Sequence, residues 1–173
     1  MTASAWLKYG IVFLGVMLFR LLPFRAPNVE PLLSAVMPLT KRYGALEGVL
    51  FAVTSIVLYD LLTAGVGVWT WVTALAYAFL AIGAHYYFLN RQPTRGNFVT
   101  FSVLSVIAYD LFTGLTVGPL AYNQTFSAAL VGQIPFTVLH LMGAVLFAVV
   151  MSPLLYRWLQ ASEAPAPSVA RAQ

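Results

Sequence analysis

Stretches of apolar residues long enough to cross a bilayer fill nearly all of this sequence, and only short links separate them. Such a chain cannot hide its apolar surface in water. Of 173 residues, 61% are hydrophobic and 8% are charged, whereas about a quarter of a soluble domain is charged. At about 18–20 residues per crossing, there is room for roughly six spans. Hydrocarbon offers no partner to a backbone N–H or C=O, so a continuous apolar span must be a helix. The expectation is an all-α integral membrane bundle of six transmembrane helices. It forms one domain over residues 1–160. The remainder, 161–173, is rich in Ala, Pro and Ser and reads as a disordered cytoplasmic tail.

The six spans fall at about 6–22, 30–40, 44–63, 69–89, 96–113 and 135–159. The second is too short to cross upright, so it is tilted, partly re-entrant, or prolonged past Pro38. Pro31 and Pro135 suit the first turn of the second and sixth helices, where the missing N–H costs nothing.

The charges divide the chain into two sides. Lys8, Lys41, Arg42, Arg91, Arg95, Arg157 and Arg171 flank the odd-numbered entries and even-numbered exits of these spans. Arg20 and Arg25 are the only cations on the other side, and the loops near 64–68 and 115–133 carry no charge. Cationic loops stay in the cytoplasm, so both termini are expected there, in a multi-pass protein of the cell membrane. The net charge of +4 belongs to this pattern rather than to nucleic-acid binding. With no Cys, disulfides, thiolate metal sites and cysteine nucleophiles are excluded.

One segment repeats. Ser55-Ile56-Val57-Leu58-Tyr59-Asp60-Leu61-Leu62-Thr63 returns 50 residues later as Ser105-Val106-Ile107-Ala108-Tyr109-Asp110-Leu111-Phe112-Thr113. Internal repeats are common in membrane transport proteins, although a shared helix-ending pattern would look the same. Asp60 and Asp110 each lie at the negative end of a helix dipole, where an acid is disfavoured. Either Arg20 or Arg25 compensates them, with Arg20 pinning the first helix to the bundle, or one Asp faces an outward-open cavity and meets a ligand. Glu30 is expected to cap the second helix.

The uncharged outer side also holds Trp69, Thr73 and Tyr77 on one helical face, then Tyr122, Asn123, Gln124 and Gln133. His140 follows about 8 Å inside the sixth helix as drawn. Aromatic walls with a few amide, hydroxyl and imidazole groups suit a small-molecule site. The same residues also serve as an interfacial belt and as interhelical hydrogen bonds. The patterns G-x-x-x-x-G-K-[ST], H-E-x-x-H and G-x-S-x-G are absent. The chain therefore reads as no enzyme, with neither cofactor nor metal, and any uphill transport draws its energy from a partner.

Arg20-Leu21-Leu22-Pro23 followed by Pro27-Asn28-Val29-Glu30-Pro31, the helix-ending Asp60, and Gln133-Ile134-Pro135-Phe136 with Gly143 resemble a known family. It is the substrate-binding component of energy-coupling factor transporters, with its uncharacterised small membrane-protein relatives. The resemblance covers about residues 18–155. It implies a subunit that binds a vitamin-like nutrient from outside, in a pocket drawn here from Trp69, Thr73, Tyr77, Asn123, Gln133 and His140. Its partners would be a transmembrane coupling subunit and ABC-type ATPases. The family's small residues four apart in the first helix are not matched; Gly10 and Gly15 stand five apart. The alternative function is a structural or assembly scaffold whose polar residues hold helices together.

Overall fold

The computed structural model describes residues 2–26 and 28–161. The order of helices is α1 (Ala3–Arg20), α2 (Leu32–Tyr43), α3 (Ala45–Leu62), α4 (Val68–Leu89), α5 (Arg95–Phe112), α6 (Gly118–Tyr122) and α7 (Phe126–Gln160). A single π-helical stretch, Thr113–Val117, joins α5 to α6. Five helical runs are long and apolar enough to cross a membrane: α1, α3, α4, the α5–α6 run and α7. Arg171 and residues 162–173 of the expected tail lie outside the described residues.

Helix starts follow local chemistry. The side chains of Thr2, Thr94 and Thr125 accept from the backbone N–H groups of Ala5, Asn97 and Ala128, which have no partner within their helices. At the end of α3 the chain turns at Gly65, whose φ of +85° returns its N–H to the Asp60 carbonyl.

The twelve-residue α2 is the hub of the bundle. Every residue from Leu32 to Thr40 is buried, and the helix packs chiefly on α7, α3 and α4. A helix apolar all round needs cover on every side, and here the longer helices provide it. At about 1.5 Å per residue it is only about 18 Å long. It lasts because protein rather than lipid surrounds it. The range differs from the expected 30–40: Pro31 stands just before the first turn, and the helix runs through Pro38 to Tyr43.

Two further expectations are corrected. The last helix begins at Phe126, so Pro135 lies in its interior and much of the supposed 115–133 loop is helical. His140 therefore sits fourteen residues into α7, about 21 Å from its start rather than 8 Å. Glu30 also makes no cap for α2, whose first turn has no side-chain cap. It turns to Arg20 instead.

The ends of the bundle differ in character. At the Lys8 end, Phe88 meets Phe98 and Phe101 at ring separations of 5.1 and 5.9 Å, and Phe51 takes edge contacts from Tyr9 and Phe13. Both lysines of the chain close helix C-termini there. Lys8 Nζ donates to the Trp158 carbonyl of α7, and Lys41 Nζ to the Phe88 carbonyl of α4. Cations are favoured at that pole of the dipole. At the Arg20 end the interior is polar.

Candidate functional site

Arg20 is the last residue of α1, and the connection after it folds back to set Glu30 beside it. Arg20 Nε lies 3.0 Å from Glu30 Oε2, although its N–H is not aligned for a hydrogen bond. Arg20 Nη1 donates to the Ser55 carbonyl of α3 at 2.9 Å, and the guanidinium stacks 4.4 Å from the centre of the Tyr59 ring. Arg25 extends the cluster: its Nε donates to the Arg20 carbonyl and its Nη2 to the Tyr59 hydroxyl. On the opposite wall the Tyr77 hydroxyl of α4 donates to Glu30 Oε1 at 3.1 Å. Arg20 and Tyr77 are buried, at 7% and 4% exposure. A buried ion pair of this kind survives only where further hydrogen bonds complete it, as Ser55 and Tyr77 do here.

A second network lies across the gap on α5 and α7. Thr137 Oγ1 donates to Asp110 Oδ2 at 2.6 Å, and His140 Nδ1 lies 2.9 Å from Asp110 Oδ1. Tyr109 ties the two networks together, with its ring 5.2 Å from that of Tyr77 and 5.5 Å from that of His140, both edge-on. Between them lies a cavity of about 300 Å³, walled by Arg20, Arg25, Asn28 and Glu30 on one side and by Tyr77, Tyr109, Phe136 and His140 on the other. A second cavity of about 300 Å³ adjoins the Asp110–Thr137 pair from the outside of α5 and α7, among Ile107, Leu111, Leu130 and Ile134.

The sequence repeat becomes a structural one. Asp60 accepts from Thr70 Oγ1 of α4 at 2.6 Å, just as Asp110 accepts from Thr137 of α7. In each copy the Asp binds a threonine on a neighbouring helix. The preceding Tyr serves the polar interior: Tyr59 lies beneath Arg20, and Tyr109 lines the cavity.

The expected charge pairs are thus redrawn. Arg20 pairs with Glu30 and not with Asp60 or Asp110, while Arg25 lies on Arg20 and Tyr59. Each Asp is answered by a hydroxyl, and Asp110 also by an imidazole. Glu30 stands ten residues from Arg20 along an irregular connection, and no helical periodicity reveals such a pairing.

Of the six residues expected to bind a ligand, Tyr77 and His140 line the cavity. Gln133 stands one step behind, donating to Thr137 at 3.2 Å and lining the second cavity. Trp69 packs at the rim against Tyr122 with ring centres 6.1 Å apart, and Thr73 donates back to the Trp69 carbonyl within its own helix. Asn123, at φ +51°, ends α6 on the exposed surface. None of these three lines the cavity. Asn28, Glu30, Tyr109, Phe136 and Thr137 were missed as site residues. Tyr109 had a visible signal in the repeat, and Thr137 and Phe136 lie one turn before His140.

Chemically, the arrangement presents guanidinium donors, an imidazole and aromatic faces around a volume near the lower bound for small-ligand sites. Among the described residues, no three His, Asp or Glu side chains gather to hold a metal ion. The chain matches no protein-family model, no curated protein and no solved structure.

Proposed function

We propose that this protein is the solute-capturing subunit of an importer of the energy-coupling-factor type. It takes a small nutrient from outside into the cavity between the Arg20–Glu30 pair and His140. One observation carries the reading: a polar cavity of about 300 Å³ at the Arg20 end of a largely apolar bundle. Ionisable groups within membrane spans are expensive and gather where a solute or ion passes. The resemblance of the 20–31 segment to the substrate-binding components of such transporters supports it.

In this reading both termini face the cytoplasm, with Lys8, Lys41, Arg42, Arg91, Arg95 and Arg157 on that side, and α2 counts as the sixth crossing. The cavity then opens away from the cytoplasm. With no nucleotide-hydrolysing motif in the chain, a coupling subunit and ATPases supply the work. A scaffold reading would leave the polar groups as helix-to-helix ties alone.

Native mass spectrometry of the full chain released from detergent tests the proposal. A retained small molecule, displaced by Tyr109→Ala, is the expected result. An empty protein that also shows no thermal shift across a panel of vitamins would favour the scaffold. Because the chain lacks Cys, single cysteines at Val66 and Thr116 report sidedness without background. Both should react with a membrane-impermeant maleimide added outside the cell.

A further inference from the structure

We infer that the captured solute is a compact organic anion whose charged group rests on Arg25. The inference depends on the cavity being a solute site. Its basis is the balance of charge on the wall. Among the described residues Glu30 is the one carboxylate lining the cavity, and both its oxygens are occupied, Oε2 by Arg20 and Oε1 by the Tyr77 hydroxyl. The other nearby acids form no ion pair with Arg25 among the described residues, and their hydrogen bonds go elsewhere. Asp110 holds Thr137 and His140, and Asp60 holds Thr70.

Arg25 lines the same cavity and is half-buried, yet among the described residues no carboxylate pairs with it. Its Nε and Nη2 are spent on the Arg20 carbonyl and the Tyr59 hydroxyl, both uncharged, while Nη1 has no partner among the described residues. Those two hydrogen bonds hold the cation against the cavity wall, where it can receive a counter-charge, and a planar guanidinium suits a carboxylate or phosphate. Around it stand groups with capacity to spare: the Asn28 amide, the Tyr109 hydroxyl and His140 Nε2 have no hydrogen-bond partner among the described residues. The rings of Tyr109 and Phe136 flank His140 edge-on and form an aromatic floor for the body of the solute.

The probes are benzoate and benzamide, matched in shape and differing in charge. Their binding to the full chain is measured in nanodiscs of phosphatidylcholine, which carry no anionic lipid. Benzoate should bind at least about tenfold more tightly than benzamide, the scale of one charge-assisted contact. Arg25→Gln should abolish that preference, whereas Arg25→Lys, which keeps the charge, should retain part of it. Thermal unfolding of both variants shows whether they fold.

Equal binding of acid and amide, or an acid preference unchanged in Arg25→Gln, overturns the inference. So does an occupant of Arg25 that appears only when phosphatidylglycerol is added, since the anion is then a lipid headgroup. If neither probe binds, the retained molecule in native mass spectrometry decides. A retained anion that Arg25→Gln loses upholds the inference, and one that Arg25→Gln keeps overturns it. A retained neutral solute sinks it but leaves solute capture standing, and an empty protein removes both.

Discussion

Ser152 on α7 donates its hydroxyl hydrogen at 2.8 Å to the Ser34 carbonyl of α2, the carbonyl that Pro38 leaves without a helix partner. Proline has no N–H to return to the residue four positions earlier, so the gap in α2 falls at Ser34. Both serines are fully buried, out of reach of bulk solvent. The central helix therefore carries a proline because the helix beside it supplies the missing donor.

Ser152→Ala should destabilise the bundle by about 1–3 kcal/mol, the cost of an unsatisfied buried acceptor. In a Pro38→Ala background the cost should shrink, because a backbone N–H at position 38 can serve the Ser34 carbonyl. A double-mutant cycle read by thermal unfolding in detergent measures the coupling. Equal costs in both backgrounds would disprove the link.

Removing Glu30 leaves Arg20 buried and unanswered. Glu30→Ala and Arg20→Ala should each cost about 3–5 kcal/mol, the penalty for breaking a buried pair. Tyr77→Phe, which loses only one hydroxyl, should cost about 1 kcal/mol. Denaturant titration of the purified chain ranks the three.

The two repeat aspartates should respond unequally. Asp110 is 3% exposed and bonded to both Thr137 and His140, so Asp110→Asn should cost about 2 kcal/mol. Asp60 is half-buried with one threonine partner, and Asp60→Asn should cost about 0.6 kcal/mol, an average interhelical bond in a membrane. Paired melting curves check the ratio.

Gly143 lets the connection before α2 lie directly on α7. A Cβ there would sit 2.9 Å from the Val29 Cα, inside backbone that cannot swing aside. Gly143→Ala should cost about 1–3 kcal/mol by overpacking. It should also weaken solute binding, because Asn28 and Glu30 move with Val29. Gly132→Ala, in open space on the same helix, should change neither melting nor binding.

The long apolar helices were readable because a span must satisfy its own backbone, and a run of about twenty apolar residues has little other choice. The grouping of Lys8 and Lys41 at one end of the helices and of Arg20 and Arg25 at the other was readable too, since charged residues fall at the ends of apolar runs. The start of α7 was not: Pro135 signals a first turn locally, but here it lies exposed in the interior of a 35-residue helix, where a proline costs one backbone hydrogen bond and the turns on either side remain helical.

The site divides along the same line. Tyr77 and His140 stood out as polar groups in apolar helices, and the Tyr-Asp repeat announced both aspartates. What the linear order could not reveal was pairing. Arg20 chose Glu30 over two aspartates because Val29, packed on Gly143, holds Glu30 against the bundle. Sequence alone determined that this chain is helical and apolar, because hydrogen bonding and solvation act residue by residue. Only the tertiary structure decided which charges meet, because Coulomb attraction depends on distances that the packing of α1, α2, α4 and α7 creates.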